Sequence, residues 1–224
     1  MRIHVKALDY VCKGVHMIGK RPVTPVVYLD RYRKAQMIES ILECFLDGPV
    51  ENYRILDIGC GNGDISAYFA GKNEQHGVDV SDKCRVGNDN FQFQVVNSEH
   101  LPYEDGSFDI VMSHHVIEHV NDQELHLAEI HRVLKASGVA YLATPNRTSP
   151  FMKGHVGNEQ VLHYQQIEPL LERGGFECTD FTPRVARQPD RFYSDMRIGR
   201  LVPAFLVSLL RPFIPSHIYM LRPQ

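Results

Sequence analysis

The sequence has no apolar run near the roughly 20 residues that cross a bilayer. Its best candidate, Leu201 to Leu210, is about half that length and is interrupted by Pro203. The first 25 residues carry charges throughout and hold no signal-peptide apolar stretch, so a cytoplasmic protein is the default expectation. Cysteine is sparse: the five thiols (Cys12, Cys44, Cys60, Cys84, Cys178) are scattered, odd in number and never spaced C-x-x-C. That pattern speaks for reduced thiols and against a disulfide framework or a zinc site. Net charge is also low, formally −3, while 43% of the 224 residues are apolar and 23% charged, which excludes a disordered or collagen-like chain. The length suits one domain with trimmings.

The small net value hides an uneven distribution. Residues 1–34 hold eight Lys/Arg against two Asp/Glu, residues 35–182 nine against 23, and residues 183–224 seven against two. An acidic body lies between two basic ends. Solvated surface charge is one reading of those ends, and contact with something anionic is the other.

Residues 29–46 place Met37, Ile38, Ile41, Leu42 and Phe45 at helical spacing, and Gly48-Pro49 stops the pattern. Strands are expected at 53–58, 75–80, 91–96, 107–112 and 138–144, with helices at 64–70, 81–87, 115–120 and 122–136 between them. A Pro-, Asn- and Gly-rich loop at 144–158 precedes a helix at 163–173, a strand at 176–182 and a closing strand at 217–221. Alternating strands and helices predict an α/β fold: a doubly wound, mostly parallel, seven-stranded Rossmann-like sheet with helices on both faces and an antiparallel last strand. The expected organisation is a basic N-terminal segment (1–28), a core (29–186), an apolar and basic insertion (187–215) and a closing strand (216–224).

The chemistry concentrates where the first strand ends, in Asp57-Ile58-Gly59-Cys60-Gly61-Asn62-Gly63. Ligands of open α/β sheets bind at the carboxyl ends of strands, and glycines let the backbone approach them. A dinucleotide fingerprint is G-x-G-x-x-G, whereas here the spacing is G-x-G-x-G with an acid before it. A ligand carrying an amino-acid group and no phosphate fits better. Asp79, 22 residues beyond Asp57 and closing the second strand, is placed to grip ribose hydroxyls. That acid alone does not choose between NAD and S-adenosylmethionine.

Taken together, ILDIGCGNGDIS, GVDVSD, NSEHLPYEDGSFDIVMSHHVIEHVND and EIHRVLKASGVAYLATPN resemble the class I S-adenosylmethionine-dependent methyltransferases. The ubiquinone and menaquinone biosynthesis group is the nearest, and the resemblance covers about residues 53–182. It implies S-adenosyl-L-methionine as cofactor and S-adenosyl-L-homocysteine as product. Asp57, Gly59, Cys60, Gly61, Asn62 and Gly63 would lie beside the methionine part, with Asp79 and Val80 at the ribose. Asn97 stands where the family carries an acid for the adenine amino group; its amide oxygen can still accept, without charge. Ser98 would offer a backbone N–H to adenine, Glu99 is a reserve acceptor, and Ser113 and His114 would flank the methionine end.

Methyl transfer mainly needs alignment, and an oxygen nucleophile gains from a general base, worth typically 10²–10⁴-fold. His114, His115 and His119 are the candidate bases. On a helix, His115 and His119 would share a face beside Glu118, a spacing that also suits metal ligands. Some quinone O-methyltransferases with a divalent ion carry a carboxylate where this chain has His115, so no metal is assigned. Tyr28, Arg31 and Tyr32 at the start of the first helix, and His155 and His163 around the loop after strand five, are candidate substrate contacts, with structural roles as the competing reading.

The expected acceptor is a bulky, partly apolar or anionic small molecule, methylated on oxygen by in-line transfer. The chain has SHHV after the fourth strand, where amino-methylating DNA enzymes carry a Pro-Pro-aromatic tetrapeptide, and it lacks aromatic-basic interleaving; nucleic acid is disfavoured. Residues 187–215 read as a lid, a homodimer surface, or an interfacial stretch touching anionic membrane or a lipid-linked substrate. An NAD-dependent oxidoreductase and a non-catalytic S-adenosylmethionine-binding partner protein are the alternatives.

Overall fold

A computed structural model describes residues 17–18, 21–22, 25–87, 89–150, 160–186 and 209–224, with backbone alone for 17–18, 21–22, 25–29 and 186. Most of the N-terminal segment, most of the insertion, the side chain of Tyr28 and all of His155 lie outside the described residues.

Helix α1 (Pro25–Leu46) starts four residues before its apolar periodicity, with a proline at the first position, where the missing N–H breaks no helical bond. It ends at Asp47, whose φ of 55° turns the chain before Gly48-Pro49. Strand β1 (Arg54–Ile58) then feeds α2 (Asp64–Phe69), and β2 (Glu74–Asp79), β3 (Phe91–Val95) and β4 (Phe108–His114) follow. After α3 (Gln123–Val133) come β5 (Leu134–Pro145), α4 (Tyr164–Arg173), β6 (Phe176–Asp180), a short α5 (Thr182–Ala186) and β7 (Ser216–Pro223).

The seven strands form one sheet in the order β3-β2-β1-β4-β5-β7-β6. Five pair in parallel and β7 runs antiparallel to both neighbours, as the alternation predicted. Successive residues face opposite sides, so Ile55, Ile110 and Met112 pack with Ile38 and Leu42 of α1, while Leu56, Ile58 and Val111 pack with Leu127 and Ile130 of α3 and Leu170 of α4. Burial on both faces explains the near-continuous apolar runs of β1 and β4.

Several expected boundaries differ. Residues 81–87 form no helix: Asp79 Oδ1 accepts from the Ser81 N–H (2.9 Å) and hydroxyl (2.7 Å), and Cys84 and Val86 pack with Ala70 and Phe91 instead. Residues 115–120 form only a turn, because His115 has a left-handed φ of 59° and its N–H bonds Ala143 O (2.9 Å). Strand β5 begins at Leu134, paired with Phe108, while Lys135 meets Asp109 at 2.7 Å, so α3 stops three residues early. Strand β6 stops at Asp180, whose Oδ1 accepts the Thr182 N–H (2.8 Å) at the start of α5. Among the described residues, no helix is long and apolar enough to cross a membrane.

Candidate active site

The turn after β1 requires its glycines. Gly59, Gly61 and Gly63 have φ of 68°, 57° and 84°, a region that side chains disfavour. A Cβ on Gly59 would lie 2.4 Å from Val116 Cγ2, whereas the space over Gly61 is open. Behind the turn, Asp57 is buried and accepts a 2.5 Å hydrogen bond from the Ser66 hydroxyl. Burial pushes its carboxyl up to about 7; Asp79 adds to the rise, while Ser66 and Arg31 oppose it. Asp79 uses Oδ2 to accept the Gly61 N–H at 2.9 Å, tying β2 to the turn. Cys60 and Cys84 meet sulfur to sulfur below it, and burial pushes the Cys60 thiol far up, a filler rather than a nucleophile.

Two cavities open at these strand ends and share Gly59, His115 and His119. The first, about 370 Å3, brings Arg31 together with Asp57, Gly59, Cys60, Gly61, Asn62 and the three histidines His114, His115 and His119. Lys34, one helical turn beyond Arg31, and Asp64 and Glu118 join them. The second, about 300 Å3, gathers Asp79, Val80, Asn97, Ser98 and Glu99 with Val116, Val120 and Asn121. Val80 is 75% exposed at its mouth.

Four candidates line neither cavity. Gly63 precedes α2, and a Cβ there would meet Val86 at 2.4 Å, so its part is in shaping the turn. Ser113 is buried with its hydroxyl 3.3 Å from His126 Nε2. Tyr32 packs edge-on against Tyr68, 5.4 Å between ring centroids. His163 caps α4: its Nδ1 accepts the Gln165 N–H (3.2 Å) and its own N–H donates to Gln166 Oε1 (3.0 Å).

The histidines have different environments. His114 lies 3.1 Å from the Tyr141 hydroxyl, and burial, helped by His115, Lys34 and Arg31, holds its pKa well below the usual imidazole value. His115 lies with Nδ1 3.3 Å from Glu118 Oε1 and Nε2 3.2 Å from Ser216 Oγ. His119 is half exposed, with Nε2 3.9 Å from the same Glu118 oxygen. The helix face expected to align His115 and His119 is absent; a turn brings both imidazoles to one carboxylate instead. Glu118, a buried side chain whose oxygens receive no hydrogen bond from the described residues, is the residue that sequence reasoning undervalued. Among the described residues, no group of three His, Cys, Asp or Glu is placed to hold a metal ion.

Residues 56–142 match the family described as "Methyltransferase domain". Over this stretch the chain is similar to methyltransferase domains. The ubiquinone biosynthesis O-methyltransferase of Pelagibacter ubique is 29% identical over 147 residues, which are 61% of this chain and 61% of that protein. The counterpart from Sinorhizobium fredii is 30% identical over 158 residues, 60% of this chain and 64% of that protein. The chain thus matches about three fifths of these relatives' length. A TehB-like S-adenosylmethionine-dependent methyltransferase from Corynebacterium glutamicum superposes with a TM-score of 0.57 at 16% identity, covering 99% of this chain and 95% of that one. At that identity the likeness speaks for the fold alone. Outside the matched stretch, α1 contributes Arg31 and Lys34 and β7 contributes Ser216.

Proposed function

We propose that the chain transfers the methyl group of S-adenosylmethionine to an oxygen of a bulky, partly apolar or anionic small molecule. One observation carries the reading: two cavities, one rich in charge and one rich in amides and valines, meet at Gly59, His115 and His119 at the strand ends. The donor set fits the zwitterionic and nucleoside parts of that cofactor. Asp57, once ionised, suits the ammonium group, and Arg31 and Lys34 suit the carboxylate. Open space over Gly61 lets the ligand approach the backbone. Asp79 keeps one acceptor site, on Oδ2, for a ribose hydroxyl, and Asn97 and Ser98 line the nucleobase end.

Bound there, the cofactor supplies a methyl already activated on sulfonium. The chain then has to orient the acceptor, exclude water and take one proton. His114, kept neutral and bonded to Tyr141, is a poor base. His115 and His119, at the junction of the cavities, are the better proton acceptors, with the Glu118 carboxylate to offset the charge gained by either ring. The glycine turn suits a pyrophosphate badly, because Asp79 takes the Gly61 N–H and Asp57 and Asp64 stand beside it. The relatives named ubiquinone biosynthesis O-methyltransferases support oxygen as the acceptor atom, and a phenolic hydroxyl is the proposed acceptor group.

Isothermal titration with S-adenosylhomocysteine and with NADH tests the cofactor, and S-adenosylhomocysteine release from a panel of phenols and primary amines tests the acceptor. The expected result is binding of S-adenosylhomocysteine alone and turnover with phenols. Binding of NADH without S-adenosylhomocysteine, or turnover only with amines, would overturn the reading.

A further inference from the structure

We propose that Glu99 is a positioning residue that locks the Asn97 side-chain amide in one orientation and so makes the second cavity selective for a 6-aminopurine over a 6-oxopurine. The inference rests on the second cavity taking the nucleoside end of the cofactor. It concerns how the base is read, a property that the methyl-transfer reading leaves open.

Asn97 sits on the rim in a turn closed by Glu99 at both ends of the amide. Its Oδ1 accepts the Glu99 backbone N–H at 3.1 Å, and its Nδ2 donates to Glu99 Oε2 at 3.3 Å. Exchanging the amide oxygen and nitrogen would set an NH2 group against an N–H and a carbonyl oxygen against a carboxylate. Both contacts would be repulsive, so the orientation is fixed. A primary amide has two N–H donors and two acceptor lone pairs. With one of each engaged by Glu99, one donor and one acceptor remain for a ligand.

Glu99 is itself anchored elsewhere. Its Oε1 accepts the N–H groups of Asn121 (2.7 Å), which also lines the cavity, and Asp122 (3.0 Å). Those backbone donors, with Asn97 Nδ2, hold its carboxyl below the usual range, so it stays an anion and an acceptor. Glu99 therefore ties the turn that carries Asn97 to the backbone at Asn121 and Asp122. The amide projects from a braced turn rather than from a free rim.

A 6-aminopurine presents an exocyclic N–H beside a ring-nitrogen acceptor, the complement of an amide that offers one acceptor and one donor. Along the same edge a 6-oxopurine presents an acceptor beside a ring N–H. A free asparagine could rotate to follow that reversal; one held by Glu99 cannot. Discrimination by a bidentate amide pair is on the order of 10- to 100-fold.

The test is isothermal titration of the full chain with S-adenosylhomocysteine and S-inosylhomocysteine. The wild type should bind the adenosyl ligand roughly 10- to 100-fold more tightly. Glu99→Gln keeps an oxygen for Asn121 and Asp122 but offers Asn97 an NH2 group, so the side-chain contact now opposes the backbone one and the amide is no longer held in one orientation. The ratio should then fall about tenfold toward unity, with little change in Tm. Asn97→Ala, at an exposed position, should bring the ratio near unity by itself, and adding Glu99→Gln to it should change nothing further. Equal binding of both ligands by the wild type, or an equal effect of Glu99→Gln with and without Asn97, would overturn the proposal. Failure to bind either ligand would overturn the cofactor reading beneath it, a distinct outcome.

Discussion

The two cavities are built from different materials. The first is walled by side chains that carry or exchange charge: Arg31, Lys34, Asp57, Asp64, Glu118 and histidines. The second is walled by valines, an amide and main chain, and its Asp79 and Glu99 have oxygens engaged by backbone N–H groups. Charged side chains of both signs in the first suit a zwitterion and a proton transfer. Carboxylates already engaged by backbone N–H groups in the second leave shape and hydrogen-bond polarity to select the ligand. One surface sorts by charge, the other by pattern.

Asp79→Ala is the strongest way to break that division, because Asp79 faces the second cavity while holding the turn of the first through Gly61. With hydrogen bonds to a charged group worth about 1.5–3 kcal/mol each, affinity for S-adenosylhomocysteine should fall at least ~100-fold. Calorimetry reads the loss and circular dichroism the intact fold; undiminished affinity would show that Asp79 has no part in the site. Gly59→Ala strikes the shared wall. A φ of 68° and a Cβ 2.4 Å from Val116 combine strain with overlap. Urea unfolding should show a loss of about 2–3 kcal/mol, and Val116→Ala in the same chain should recover the part due to overlap and leave the strain.

The third prediction sharpens the contrast through pH. The Asp57 carboxyl, raised by burial to about 7, is protonated below that pH in the free protein. That proton favours the folded state, so this contribution to stability is full below the ordinary carboxylate pKa and is lost as pH rises through about 7. A ligand ammonium group favours the carboxylate, so binding below pH 7 expels a proton. Affinity for S-adenosylhomocysteine should therefore fall as pH drops below about 7, by up to about tenfold per unit, and level off above it. Asp57→Asn should flatten that slope. A slope that persists in the variant would place the proton elsewhere in the first cavity.

What the sequence conveyed about this site follows the same division. Asp57, the glycines and Asp79 are legible because strand ends and tight turns constrain residue type at fixed spacing. The helix α1 is legible from its periodicity, and β1 and β4 from unbroken apolar runs. Residues 81–87 and 115–120 misled because their composition is compatible with helix, while distant partners decide their shape. Asp79 captures Ser81, Ala143 captures the His115 N–H, and Glu99 captures Asn121 and Asp122. The end of α3 was hidden for the same reason, since Leu134 joins β5 by pairing with Phe108. Glu118 looked like an ordinary charged neighbour of two histidines; only the fold shows that its side chain is buried without hydrogen bonds from the described residues.

The placement of β7 between β5 and β6 bears on how the chain is made. Strand β6 pairs with β7 alone, and β7 is the last of the seven strands in chain order. During synthesis, β1 to β5 can assemble as residues leave the ribosome, but β6 must wait without a pairing partner until Ser216–Pro223 emerges. The edge of the sheet that carries Ser216 toward His115 is thus completed after the cofactor-binding half, and a chain stalled before Ser216 would display an unpaired edge on β5 open to other strands.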